Sequence, residues 1–312
     1  MKIIFFGTSQ FAIPILEALV NANMTPSLIV TAPDKPRGRG GKIQSPSVKL
    51  WADTHRLPVI QPPKLESGIM NNELWNNVDL FVVASYGKII PKDLLEIPKY
   101  GALNVHPSLL PKYRGPSPIQ TALLNGDSET GVTIMLMDEE MDHGPTLANY
   151  KVQITNSKIT YGELERKLSD IGAELITKTI PKWIASKIKP QNQDHAKATY
   201  TKKITKEDGS INWHEPAEII ERKIRAYSPN PGVFTFWQKG NAKIRLKILD
   251  ADVIAKPSEI SDGEVFKAKE SFGIGTSNGA LKINKLQQEG TSEMTAESFL
   301  NGHPTIIGAI LQ

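Results

Sequence analysis

Two kinds of hydrophobic pattern alternate along the first part of the chain. Continuous apolar runs, which are typical of buried strands, occur at residues 3–6, 27–31, 80–84 and 102–105. Between the first two runs, the apolar residues at 11–20 have helical spacing. Strands that alternate with helices form a parallel sheet with right-handed crossovers. The first part of the chain is therefore predicted to be an α/β domain with a mostly parallel sheet.

Two further strand-like runs and a long helix follow this alternation. The runs at 132–137 and 146–154 are close enough in sequence to form an antiparallel pair. Helical spacing extends over 161–180, and Pro181 is expected to kink or end that helix. Residues 182–188 are predicted to add a further helical turn or two.

The pattern changes near Lys189. Residues 190–206 are polar, which is typical of a linker, and a helix is predicted at 216–226. Five short strand-like runs follow, at residues 233–237, 242–249, 264–268, 272–276 and 280–286. Strands of this number and length are typical of a small barrel, of which the oligonucleotide-binding (OB) type is one option. The alternating Phe234 and Phe236 are interpreted as core residues of that barrel. Stacking on RNA is the alternative for them and for Trp213 and Trp237.

These patterns divide the chain into three parts. We predict a Rossmann-like, mostly parallel α/β sheet domain at 1–189, a linker at 190–206, and a small OB-like β-barrel domain at 207–312.

Composition narrows the class of protein. The 312 residues include no cysteine, which excludes disulfides and thiolate metal sites and suits a reducing compartment. No apolar run is long enough to span a bilayer, and the N-terminus begins with strand-like residues instead of a signal peptide. These features predict a cytoplasmic, bacterial protein without a membrane partner, and a monomer is the default.

The charge is unevenly distributed. A net charge of +4 is by itself weak support for a polyanionic partner. Basic residues cluster between Asp34 and Lys49 and again between Lys197 and Lys206. Taken alone, the first cluster would be interpreted as a surface loop.

Candidate chemistry lies at the end of the predicted strand at 102–105. Asn104 and His106 are two residues apart, so they share one face of the strand at its C-terminal end, where open parallel sheets bind ligands. An imidazole that carries protons beside a neutral amide donor suits acyl transfer. A lone histidine would more often be a core residue, but the proline-rich segment that follows favours a site. Asp142 is a candidate third member, although spacing alone ranks it no higher than Asp138.

Two kinds of bound group are not expected. The first strand–helix turn contains only Gly7 of the G-x-G-x-x-G pattern that a dinucleotide requires, so NAD and FAD are not predicted. No set of histidine, aspartate and glutamate has the spacing of metal ligands, and no metal is predicted either.

Several segments resemble the folate-dependent formyltransferases. Residues 104–119 resemble the signature of that family, and 137–144 resemble its M-D-x-G-x-D-T-G loop. Similar stretches occur at 32–40, at 84–91, and in the second half at 203–213 and 229–232. The resemblance covers essentially the whole chain. Two positions of the loop differ from the family pattern, since Glu140 replaces its glycine and His143 its threonine.

The resemblance implies an activity and a set of site residues. The donor would be 10-formyltetrahydrofolate, and the acceptor would be the α-amino group of methionyl initiator tRNA, for translation initiation. The catalytic residues would be Asn104, His106 and Asp142. The residues expected to bind the folate are Tyr86, Ile89, Ile90, Ser108, Leu109, Leu110, Pro111 and Asp138. Those expected to bind tRNA are Arg37, Arg39, Lys42, Lys203 and Lys206.

The same resemblance implies a mechanism without a covalent intermediate. Asn104 would stabilise the oxyanion, His106 would move a proton from the amine to the folate nitrogen, and Asp142 would hold His106 in one tautomer. Two other readings stay open. One is a folate-dependent formyltransferase that acts on a sugar nucleotide or another small amine, and the other is a non-catalytic RNA-binding protein. Glu140 puts the shape of the Asp142 turn in question, because glutamate disfavours positive φ.

Overall fold

The computed structural model describes residues 1–37, 41–65 and 73–312. The chain divides into two compact units. The first unit comprises Met1–Pro118, Glu129–Gln153 and Glu165–Lys202, and the second comprises Ile119–Ser128, Ile154–Leu164 and Lys203–Gln312. The two units therefore interleave along the sequence, and most of the segment predicted as a linker groups with the first.

The first unit is built on a seven-stranded sheet. Along the chain, the strands of the first half are β1 (Ile3–Gly7), β2 (Leu28–Val30), β3 (Lys35–Arg37), β4 (Lys42–Gln44), β5 (Val59–Ile60), β6 (Leu80–Ala84), β7 (Ala102–His106), β8 (Glu129–Leu136) and β9 (Thr146–Gln153). The helices of this half are α1 (Ala12–Asn21), α2 (Ser47–Thr54), α3 (Lys92–Leu95), α4 (Pro118–Leu124) and α5 (Tyr161–Ile184). Apart from Pro118, α4 belongs to the second unit, as do the residues of α5 up to Leu164. The sheet order is β5-β2-β1-β6-β7-β8-β9.

The pairing within this sheet confirms the predicted architecture. The neighbours from β5 to β7 are all parallel, whereas β8 pairs antiparallel with both β7 and β9. The strands β1, β6 and β7 are buried along their whole length, because a parallel sheet is covered on both faces. Their continuous apolar runs are the reason the sequence predicts them.

Two local features differ from the sequence pattern. The basic segment after Asp34 contains an antiparallel pair of strands, β3 and β4. The sequence taken alone would have been interpreted as a surface loop there. Pro181 does not end α5, and the predicted continuation beyond it is present but shorter than 182–188, because the helix ends at Ile184. Trp183 Nε1 donates to the carbonyl of Tyr100 at 2.9 Å, and this contact anchors the last turn of the helix.

An aromatic cluster fills the core on one side of the sheet. Phe6 packs against Phe81, Tyr86 and Trp75, with ring centroids 4.9, 5.4 and 6.3 Å away. All four side chains are buried. Removing one such ring typically costs about 3–5 kcal/mol of stability, so this cluster contributes strongly to the stability of the sheet.

The second unit contains a six-stranded antiparallel sheet. Its strands are β10 (Val233–Lys239), β11 (Ala242–Ile254), β12 (Val265–Ala268), β13 (Ser271–Gly275), β14 (Ala280–Gln288) and β15 (Met294–Thr295), and the helices of this half are α6 (Ala217–Tyr227) and α7 (Ala296–Gly302). The sheet order is β10-β11-β14-β13-β12, and β15 pairs with β14.

The C-terminal residues close this curled sheet. Leu311 N donates to the carbonyl of Gly263 at 2.9 Å, just before β12. On the other side, the backbone groups of Gln312 and Phe236 exchange hydrogen bonds of 2.9 and 3.0 Å. The last residues of the chain therefore bridge β12 and β10, and the predicted small barrel is confirmed.

The interpretation of two barrel phenylalanines is wrong. Val233, Thr235 and Trp237 of β10 are buried, so the alternation of a strand places Phe234 and Phe236 on the opposite face, where both are partly exposed. Within the described ranges, no helix is long and apolar enough to cross a membrane.

Candidate active site

The end of β7 carries two polar side chains inside the first unit. Asn104 and His106 are 9% and 4% exposed, although both belong to a strand that is otherwise apolar. They lie beside the turn between β8 and β9, which contributes Asp142. Asn104 Nδ2 donates to Asp142 Oδ1 at 3.3 Å, and His106 Nδ1 is 3.6 Å from Asp142 Oδ2. The three side chains thus form one cluster at the C-terminal end of the strand.

A backbone carbonyl fixes the orientation of the imidazole. His106 Nε2 is 3.0 Å from the carbonyl oxygen of Tyr113. A carbonyl only accepts, so Nε2 must carry a hydrogen. At 3.6 Å, Asp142 is too far from Nδ1 for a hydrogen bond in this state. The atom that sets the tautomer is therefore Tyr113 O, and Nδ1 is the nitrogen that faces the cluster.

The turn that carries Asp142 has an unusual backbone. Asp142 has φ +51°, in the left-handed region that aspartate tolerates better than most residues. Its Oδ2 accepts a hydrogen bond of 2.7 Å from the N–H of Gly115. Glu140 is not among the described residues with positive φ, so its replacement of glycine causes no strain of that kind. His143 Nδ1 lies 2.7 Å from Asp138 Oδ2 and ties the turn together.

The segment after His106 is held by a threonine of β8. Thr133 Oγ1 donates to the carbonyl of Ser108 at 2.7 Å and accepts from Leu110 N at 3.2 Å. Ser108 Oγ donates to the carbonyl of Lys112 at 2.6 Å. Sequence reasoning missed Thr133, whose only signal is a hydroxyl inside an apolar strand. Its contacts fix the path of residues 108–111, the predicted folate-binding stretch.

The other predicted folate residues differ in exposure. Tyr86 and Ile90 are buried, whereas Ile89 is 78% exposed. Burial raises the pKa of Tyr86 to about 12. Its hydroxyl has no hydrogen-bond partner among the described residues. The side chains of Tyr86 and Ile90 thus pack in the hydrophobic core of the first unit.

The predicted tRNA residues occupy two places. Arg37 and Lys42 are register partners in the β3–β4 hairpin of the first unit. Arg39 lies outside the described residues. Lys203 and Lys206 are exposed in the second unit. Within the part of the chain that the structure covers, no group of three histidine, aspartate or glutamate side chains could hold a metal ion.

The sequence and the fold both match known proteins. Residues 1–180 match the Formyl transferase family, and residues 203–304 match the Formyl transferase, C-terminal domain family. The methionyl-tRNA formyltransferase of Thermodesulfovibrio yellowstonii is 42% identical over 96% of this chain and 95% of its own length. That of Halalkalibacterium halodurans is 40% identical, over 97% and 95%.

Solved structures share the fold at low identity. An N-formyltransferase from Helicobacter canadensis, in complex with folinic acid and dTDP-3-aminofucose, has a TM-score of 0.63 and 20% identity over 91% of this chain and 98% of its own. HypX from Aquifex aeolicus, in complex with tetrahydrofolic acid, has a TM-score of 0.63 and 16% identity over 98% of this chain and 48% of its own.

Proposed function

The chain belongs to the formyl transferase family, and on that premise we propose that it transfers a formyl group from 10-formyltetrahydrofolate to the α-amino group of methionyl initiator tRNA. The observation that carries this conclusion is the identity to methionyl-tRNA formyltransferases, which extends through both family domains. The product is N-formylmethionyl-tRNA for translation initiation. We further infer that the enzyme works as a cytoplasmic monomer.

The reaction replaces one C–N bond by another. The free amine attacks the formyl carbon, the carbonyl oxygen becomes an oxyanion, and the bond to N10 of the folate then breaks. Asn104 Nδ2 uses one N–H toward Asp142 and has a second one to offer the oxyanion. A donor of this kind typically contributes about 2.7–4 kcal/mol of transition-state stabilisation.

We assign proton transfer to His106. Since its Nε2 is committed to Tyr113 O, Nδ1 is the atom that can take the proton from the attacking amine and return it to N10 of the leaving folate. Positioned acid–base catalysis contributes roughly 10²- to 10⁴-fold. Asp142 stabilises a positive charge on the ring and keeps Asn104 in place. The amine is already a good nucleophile, so the mechanism has no covalent intermediate.

We assign the folate to the surface formed by residues 84–91 and 108–111. The buried side chains of Tyr86 and Ile90 leave backbone groups to recognise the pterin, and the exposed Ile89 is available for apolar contact. Asp138 is already bonded to Glu140 N and to His143, so a folate contact would have to share this carboxylate.

We assign the acceptor tRNA to two separate groups of basic residues. Arg37, Arg39 and Lys42 are assigned to the acceptor stem, and the exposed Lys203 and Lys206 to phosphates. Neutralising phosphates releases counterions, so binding that depends on these contacts weakens as salt rises.

The proposal is tested by offering the full-length protein radiolabelled formyl-folate and four acceptors. They are charged initiator tRNA, charged elongator methionine tRNA, uncharged initiator tRNA and a dTDP-amino sugar. We expect label only on charged tRNA, with preference for the initiator. The KM for tRNA should rise with salt concentration, whereas the KM for folate should not. Label on the sugar alone would favour the sugar-nucleotide alternative, and no transfer at all would favour a non-catalytic RNA-binding protein.

A further inference from the structure

A buried guanidinium lies directly behind the proposed catalytic cluster. Arg114 is 1% exposed. It stands between Tyr113, whose carbonyl orients His106, and Gly115, whose N–H binds Asp142. An arginine is seldom buried to this extent unless its donors are paired, so its partners should show what it does.

The partners of Arg114 are neutral and come from one segment. Nε and Nη2 donate to Gln193 Oε1 at 3.1 and 2.8 Å. Nη2 is also 2.8 Å from His195 Nδ1, and Nη1 donates to the hydroxyl of Tyr200 at 3.2 Å. The charge therefore orients an amide, an imidazole and a phenol.

Gln193 passes this orientation on to the Asp142 turn. Its side chain is buried, and its Nε2 donates to the carbonyls of Asp142 at 2.9 Å and Gly144 at 2.7 Å. Arginine only donates and the two carbonyls only accept, so the amide can adopt one orientation only. All of its strong hydrogen-bonding groups are thus used to join Arg114 to the turn.

A second connection runs through two histidines. The rings of His143 and His195 stack at a centroid distance of 4.1 Å with an interplanar angle of 8°. His195 Nδ1 accepts from Arg114, and His143 Nδ1 is bonded to Asp138. The guanidinium therefore reaches the turn both through Gln193 and through the stacked rings.

We propose that Arg114 and Gln193 are positioning residues of the formyl transfer site. They link the backbone that orients His106 to the backbone of Asp142, and so set the distances within the catalytic cluster. This inference rests on the proposed function. Neither Arg114 nor Gln193 forms a side-chain hydrogen bond to Asn104, to His106 or to the carboxylate of Asp142. The two residues therefore act on the catalytic cluster through backbone atoms.

The sharpest variant is Gln193→Glu. It keeps an acceptor for the buried guanidinium and removes both N–H donors to the turn. Misplacing catalytic groups by about 1 Å can cost roughly 10²-fold in rate. We therefore expect kcat to fall roughly 10- to 100-fold, with both KM values near those of the wild type. The melting temperature should fall as well, because the carbonyls of Asp142 and Gly144 lose their donor.

Gln191→Glu is the matched control. Gln191 is exposed, and its hydrogen bonds with Thr146 use backbone atoms that the substitution keeps. This variant should behave as the wild type. Arg114→Lys provides a second comparison, because lysine retains the charge but cannot make the forked contact to Gln193. It should also lower kcat more than it raises either KM.

Hydrogen–deuterium exchange tests the same link in the free protein, without tRNA or folate. The peptide that covers residues 139–145 should exchange faster in Gln193→Glu than in the wild type or in Gln191→Glu. Unchanged kcat in Gln193→Glu, or a loss that appears only as higher KM, would overturn the positioning role. If the wild type failed to formylate charged tRNA, the proposed function would fail. Hydrogen–deuterium exchange would then test the connection between Gln193 and the Asp142 turn by itself. Faster exchange of the 139–145 peptide in Gln193→Glu would support it, and unchanged exchange would overturn it.

Discussion

Replacing His106 separates its chemical role from its structural one. In the structure His106 Nε2 donates to the carbonyl of Tyr113 at 3.0 Å, and its side chain is 5% exposed. His106→Ala removes the proton carrier and leaves that buried carbonyl without its donor. His106→Gln places an amide donor where Nε2 was, but an amide cannot exchange protons. The alanine variant should therefore lose activity and stability, and the glutamine variant mainly activity.

The two effects have different sizes. Loss of acid–base catalysis of roughly 10²- to 10⁴-fold corresponds to about 2.7–5.4 kcal/mol in the activation barrier. An orphaned buried carbonyl costs about 1–3 kcal/mol of unfolding free energy, to which the cavity left by the ring adds. His106→Gln should recover the hydrogen-bond part of that stability and none of the rate.

Single-turnover formyl transfer with saturating charged tRNA and folate measures the rate, and urea unfolding measures the stability. Single-turnover conditions remove product release from the comparison. A His106→Ala rate within about threefold of the wild type would refute the assigned chemistry. A normal rate in His106→Gln would show that the donor to Tyr113, and not proton transfer, is what the reaction needs.

Two further substitutions test the surroundings of the site. Burial raises the pKa of Tyr86 to about 12, so the unfolded chain loses this proton first and about 3 kcal/mol of stability should be lost between about pH 10 and 12. Tyr86→Phe should remove that loss in urea unfolding, and the control Tyr150→Phe, at a 55% exposed position, should not. Gly115→Ala should lower kcat roughly 10- to 100-fold, since φ is +109° and a Cβ would lie 2.9 Å from the carbonyl of Thr201. Gly308→Ala, also at positive φ but with nothing within 4 Å of the Cβ, should leave kcat unchanged.

The features that depend on local periodicity can be predicted without a structure. Continuous apolar runs predict β1, β6 and β7 because a strand buried on both faces needs apolar residues at every position. The two-residue period of a strand predicts that Asn104 and His106 share a face. Neither inference requires knowledge of which segments meet.

The distant groups that complete the site are brought together by the three-dimensional fold and could not be predicted from the chain. Spacing ranked Asp138 and Asp142 equally, but the turn carries Asp142 to Asn104, 38 residues away, and leaves Asp138 bonded to His143. Arg114 and Gln193 are 79 residues apart and meet through an irregular segment that reads as a polar linker. Such contacts depend on strand order and on the paths of loops. Hydrophobic periodicity reports only local structure, so it cannot predict which side chains from distant segments become neighbours.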